Sequence, residues 1–138
     1  MNEDTKALYM GFVTRSFRDI ADKDYLAARI LYKVELGPQF LWSAHQAIEK
    51  YLKAIILYND LSTKKIGHNL EKAFKQLDTI KEITFDFPND IEDFIKYLNQ
   101  QGNNRYFEKP AYAVGEELLM LDRTVWFIRR YYFIRLCR

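Results

Sequence analysis

The run from Pro38 to Asn59, PQFLWSAHQAIEKYLKAIILYN, leaves the chain the fewest choices. Apolar residues recur at Phe40, Ala44, Ala47, Ile48, Tyr51, Leu52, Ile55 and Tyr58, the spacing of one helix face. Leu41, Trp42, Ala54 and Ile56 spread that face around much of the circumference. A helix apolar on so many sides must be covered on most of them, so it belongs at the centre of a helical bundle. The polar residues are left in one narrow row: His45, Gln46, Glu49, Lys50 and Lys53. His45 and Glu49, Gln46 and Lys50, and Glu49 and Lys53 are one helical turn apart and within mutual reach. Such a row is either a surface seam of ion pairs or a place where a subunit or a phosphate group meets the helix.

The segments on either side continue the helical pattern. Ser16 followed by Asp19 is a weak capping signal. It precedes a face of Phe17, Ile20, Ala21, Ala27, Ala28, Leu31 and Val34, with Arg18, Lys23, Arg29 and Lys33 turned outward. Asp24 falls near the apolar side, where a carboxylate is expected to be paired. Gly37-Pro38 reads as the end of this helix and the start of the next, and so short a link makes the two antiparallel neighbours. Asn69 reads as the cap of a third helix carrying Leu70, Ala73, Phe74, Leu77 and Ile80. Thr84 to Phe87 has some strand character, but Pro88 and its shortness make it a linker. Asn89 or Asp90 then caps a helix with Ile91, Phe94, Ile95 and Leu98 on one face. QQGNNRYFEKP is the strongest loop signal. A last helix begins at Pro110, with Val114, Leu118, Leu121, Val125, Ile128 and Tyr132 along it, widened by Trp126, Phe127 and Phe133. Gly115 marks a weak point or a close approach. The expected fold is an all-α, antiparallel bundle of four main helices with a short fifth. It forms one domain over residues 1–138 with its core in 17–131.

Composition narrows the function classes. With 138 residues, 49% of them hydrophobic, the chain can bury a core without staples. Its one cysteine, Cys137, allows no internal disulfide framework, and the opening MNEDTKALYMGF lacks the pattern of a secretory leader. Both fit a cytoplasmic protein. Charge is uneven. The last 16 residues hold five arginines and no acid; removing those five from the 21 Lys and Arg leaves 16 against 19 acids, a net of −3 before Arg123. Cations at a helix C-terminus suit the helix dipole, and they also suit an anionic partner.

No metal site is spelled out: His45 and His68 are the only histidines, and CxxC, HExxH and Glu-x-x-His pairs are absent. No phosphate loop and no nucleophile elbow is present, and no cofactor is implied. Two polar clusters remain. One is the row from His45 to Lys53, a seam or a surface for phosphate and base edges. The other is NNRYFEKPAY, residues 103–112. There Arg105 and Tyr106 stand before a helix N-terminus and either clamp phosphate and stack a base, or plug the bundle end.

FRDIADKDYLAARILYKVEL, QFLWSAHQAIEKYLKAIILYN, GHNL and NRYFEKPAY, taken together, resemble the HEPN domain, the higher eukaryote and prokaryote nucleotide-binding domain. Gln46-Ala47-x-Glu49-Lys50-x-x-Lys53-Ala54 carries most of the likeness, followed by His68-x-Leu70 and Arg105-Tyr106. The resemblance implies an antiparallel helical bundle, usually a homodimer, that binds nucleotide or RNA. It also implies a place in toxin–antitoxin or defence systems beside a small nucleotidyltransferase. Some members are metal-independent endoribonucleases bearing an Arg and, a short step on, a His at the start of the last helix. Here Arg105 matches the arginine, but Pro110, Ala111 and Tyr112 stand where the His belongs. Loss of that imidazole removes a general base worth about 10²–10⁴-fold. The expectation is therefore a non-catalytic binding module using Arg105, Tyr106, Lys50, Lys53, Gln46, Glu49 and His45. The alternatives are a ribonuclease drawing on Arg105 with a base from elsewhere, His68 or His45, and a structural homodimerisation module.

Overall fold

The computed structural model describes residues 2–103 and 115–136. The chain starts with one long helical rod. Its first part, α1, is Glu3–Val13, opened by Asn2, whose side chain accepts from the Thr5 N–H. A π-helical stretch, Thr14–Arg18, follows and passes without a break into α2, Asp19–Lys33. The Thr14 hydroxyl donates to the Met10 carbonyl and contacts the Tyr58 hydroxyl. A side chain competing for a backbone acceptor in this way loosens the helical ladder. Ser16 therefore lies inside the rod and caps nothing, contrary to the reading from sequence. The π turn resets the helical phase, so that Val13, Ala21 and Ala28 all reach the core.

The central run forms α3, Gly37–Tyr58, with Pro38 in its first turn. The link from α2 departs from expectation. The left-handed residue that stops α2 is Glu35, at φ 63°, and Gly37 is already the first residue of α3. The Leu36 N–H donates to the Leu31 carbonyl at 3.0 Å, closing the α2 end. Asp60, at φ 60°, ends α3 in the same manner. α3 lies where its apolar circumference requires: Phe40, Ala44, Ala47, Ile48, Tyr51, Leu52, Ala54 and Ile56 are at most 1% exposed. Trp42, counted from sequence as part of that girth, is 59% exposed instead.

α4, Leu70–Gln76, runs into a 3₁₀ turn, Leu77–Thr79. Asn69 caps it as expected, its side chain accepting from the Lys72 N–H at 3.1 Å. The segment from Ile83 to Pro88 is an irregular linker, and no strand occurs among the described residues. Phe85 and Phe87 pack on Tyr131 with ring centroids 4.6 and 5.2 Å apart. α5 is Asn89–Asn103, with Ile91, Phe94, Ile95 and Leu98 buried. α6 is Glu116–Leu136, with Leu121, Val125, Ile128 and Tyr132 buried. Gly115 is not a mid-helix weak point. It sits in the turn before α6 at φ 92°, a conformation that favours glycine, and its N–H donates to the Tyr32 hydroxyl at 2.5 Å.

Pairing order gives the directions. From α2 to α3 the contacts run Asp22 to Tyr51, then Asp24 to Lys50. From α2 to α6 they run Asp22 to Arg129, then Tyr25 to Asp122. From α5 to α6 they run Asp90 to Arg123, then Tyr97 to Glu117. In each pair one number rises as the other falls, so the neighbours are antiparallel. This is the all-α, antiparallel bundle expected from the sequence.

Candidate functional site

The polar row on α3 divides between two environments. Lys50 turns toward α2 and pairs with Asp24, the acid whose place near the apolar face called for a partner. The neighbouring Tyr51 is fully buried, and its hydroxyl donates to Asp22, which also holds Arg129 of α6. Burial, and then the bond to Asp22, push the Tyr51 hydroxyl well above the ordinary phenol range, so it stays protonated and remains a donor. The Tyr132 hydroxyl donates to the Tyr51 carbonyl at 2.6 Å. With Arg29 and Tyr25 joined on Asp122, these contacts fasten α2, α3 and α6 to one another. Lys50 is part of that fastening. Gln46 is half-buried.

His45, Glu49 and Lys53 face the other way, toward the approach to α4. His45 and Glu49 are each 3% exposed, so they do not form the open seam that their charge suggests. Lys53 Nζ lies 2.9 Å from Glu49 Oε1, and His68 Nδ1 lies 2.7 Å from the same oxygen. A carboxylate only accepts, so Nδ1 carries the proton of that contact. Nε2 is thereby left as the free nitrogen, on a side chain 79% exposed to solvent.

The GHNL tetrapeptide explains why His68 points inward at one nitrogen only. Gly67 takes a left-handed turn at φ 56°. Asn69 caps α4, and Leu70 is fully buried. The Leu70 N–H also donates to the buried Asn99 side chain of α5 at 2.9 Å. A residue set between a tight turn and a doubly anchored helix start has little freedom. Its side chain is held against α3, where Glu49 waits one helical turn from both His45 and Lys53.

His45 completes the cluster. Its Nδ1 is buried and has no partner among the described residues. Burial lowers its pKa, while the Glu49 carboxylate and a main-chain hydrogen bond to His68 act to raise it. Two imidazoles, a carboxylate and an ammonium thus meet at one point, with only His68 open to a ligand. The arrangement has the form of an imidazole oriented by a buried carboxylate, suited to holding an anion or to accepting a proton. Among the described residues no group of three or more His, Cys, Asp or Glu is placed to hold a metal ion.

Arg105 and Tyr106, expected to meet the same ligand, lie outside the described residues, as do Pro110, Ala111 and Tyr112. The pairing of Glu49 with His68 was not visible beforehand, because it joins residues on separate elements. The one local signal was the Asn69 cap, which puts His68 immediately before a helix start.

A family model described as the HEPN domain matches residues 14–117. That span takes in the row on α3, the GHNL turn and the NRYFEKPAY segment. No curated protein and no solved structure matches the chain. No described helix is long and apolar enough to cross a membrane.

Proposed function

Because this chain belongs to the HEPN domain family, we propose that it is a binding module for the phosphate of a nucleotide or of RNA, with His68 as its contact point. The observation that carries this reading is the buried Glu49 carboxylate spent on an exposed imidazole. Burying an ion pair adds little to stability compared with apolar residues of similar size, so the pair is better explained by what it holds. His68 meets a phosphate oxygen through Nε2–H in its imidazolium form, since the Glu49 carboxylate and the phosphate both accept, and Lys53 adds positive charge behind it. Arg105 brings a guanidinium fork suited to phosphate and Tyr106 a ring on which a base stacks. Gln46 supplies an amide for a base edge, and Lys50 adds distant charge while braced on Asp24.

The protein acts as a homodimer beside a partner such as a small nucleotidyltransferase, in a toxin–antitoxin or defence pair in the cytoplasm. Support for the dimer is a ridge on α2, where Leu26, Ile30 and Val34 are 58%, 63% and 58% exposed at one-turn spacing. Calorimetry against ATP, GTP and a mixed RNA pool tests the binding. We expect heat with at least one of them and a loss of about tenfold or more in His68→Ala, the scale of a charge-assisted hydrogen bond. Absence of heat with all three, or an unchanged affinity in His68→Ala and in Arg105→Ala, would count against it.

A second reading, an endoribonuclease, is favoured by the same Nδ1 contact. An imidazole whose Nδ1–H is held by a carboxylate presents Nε2 as a proton acceptor. Single-stranded RNA incubated with the protein and EDTA decides between them. Cleavage abolished by His68→Ala supports the enzyme; RNA left intact rejects it.

A further inference from the structure

The outer face of α6 carries a stack of cations and rings that no role above uses. Arg130 lies over Trp126 at 4.8 Å and over Phe127 at 5.7 Å from the ring centroids. Arg123 lies over Phe127 at 4.9 Å. Trp126 and Phe127 meet edge to face at 5.0 Å. Trp126 is 59% exposed, on a helix otherwise anchored through Leu121, Val125, Ile128 and Tyr132. Two further arginines of α6 are committed to acids, Arg123 to Asp90 and Arg129 to Asp22. Arg130 is exposed and has no carboxylate partner among the described residues. The chain from Arg123 onward holds five arginines and no acid.

We propose that this face of α6 is a docking surface for single-stranded nucleic acid, with Trp126 stacking a base and Arg130 holding the adjoining phosphate. Charge complementarity selects the occupant. Asp90 offsets Arg123, which leaves Arg130 as the uncompensated charge among the described side chains of this face, and a face with excess positive charge attracts a polyanion. It also resists a second copy of itself, because a two-fold contact would bring arginine against arginine. Rings select within the polyanions: an exposed indole with a guanidinium on one side still offers its other side to a base. Bases in a duplex are already stacked and cannot take that place.

Trp126 reports on its own occupancy. The chain has two tryptophans, and the other, Trp42, is exposed enough to replace by Phe without disturbing the core. In the Trp42→Phe protein, an oligouridine of about 15 nucleotides should quench the remaining fluorescence to saturation at low salt. Fluorescence anisotropy of the labelled oligomer then measures the variants. Trp126→Ala should weaken binding about fivefold or more. Arg130→Gln should lower the slope of log K against log salt by about 0.7, the value of one phosphate contact on a single strand. Both substitutions are at exposed positions, and unchanged circular dichroism checks that the fold is kept. Binding of whichever mononucleotide gives heat in the calorimetry above serves as the control and should be unaffected by either change. Four results would overturn the proposal: no quenching, equal quenching by duplex RNA or by polyglutamate, binding indifferent to both substitutions, or a particle mass that falls in Trp126→Ala because the ring is buried between copies.

Discussion

Replacing Lys53 by Met tests the centre of the site. Glu49 is 3% exposed, and its Oε1 receives Lys53 Nζ at 2.9 Å and His68 Nδ1 at 2.7 Å. Lys53 is the only lysine or arginine among the described residues bonded to that carboxylate. Removing one partner of a buried pair costs about 3–5 kcal/mol; here the remaining carboxylate cannot hydrate and keeps only its hydrogen bond from His68. For a domain whose total stability is roughly 5–15 kcal/mol, that is a large fraction. Glu49→Leu should cost less, since the Lys53 ammonium, 16% exposed on a long stem, can extend to water. Lys53→Met combined with Glu49→Leu should return to within about 1 kcal/mol of the parent, because apolar residues of similar volume replace buried pairs at little cost. Urea unfolding followed by circular dichroism measures all four proteins. If Lys53→Met costs under about 1 kcal/mol, the carboxylate is not shielded as described. If the double variant is as unstable as the single, the pair is required for the fold and the argument that it serves a ligand fails. A restored double variant that no longer binds phosphate ligands would tie the pair to function.

Other predictions concern separate parts of the molecule. His45 has a folded pKa below its unfolded value of about 6.5. Its stabilising effect is therefore complete above that value and lost as pH falls from there through the folded pKa, by at most about 1.4 kcal/mol per pH unit. His45→Leu should flatten the acid side of a stability–pH profile, and an unchanged profile would contradict the burial. Glu35→Gly should raise stability by about 1 kcal/mol in thermal unfolding, because φ 63° strains a side-chain-bearing residue. Asn99→Leu leaves the buried Leu70 N–H without its side-chain acceptor and should cost about 1–3 kcal/mol. The same change should also broaden the His68 resonances, by loosening the α4 start that pins that ring. Ile30→Glu, on the exposed α2 ridge, should halve the mass measured by light scattering while leaving the helical signal intact.

Much of the architecture was legible because it depends on local rules. Apolar spacing identified α3 as the buried axis, and Asn69 and Pro88 showed where helix and linker alternate. The misreadings arose where a local rule met a tertiary alternative. Gly37 looked like the stop of α2, but the turn placed the left-handed residue at Glu35, since cooperative hydrogen bonds at a helix end outweigh about 1 kcal/mol of strain. Ser16 looked like a cap, but Thr14 bonded to the ladder and carried the rod through. Trp42 looked like core, but no element among the described residues covers that side of α3.

Residue order by itself determined that this chain makes amphipathic helices joined by short turns, and that its few hydrophilic side chains on α3 fall in one row. It also carried the likeness that the family model bears out over residues 14–117. Only the tertiary structure decided which of those side chains act together. A helix row is one-dimensional, whereas its neighbours arrive from different directions. The acid on α2 claimed Lys50, and the turn before α4 brought His68 onto Glu49. Burial then separated a brace between helices from a poised imidazole, because a charge removed from water must find its partner in whatever element packs against it.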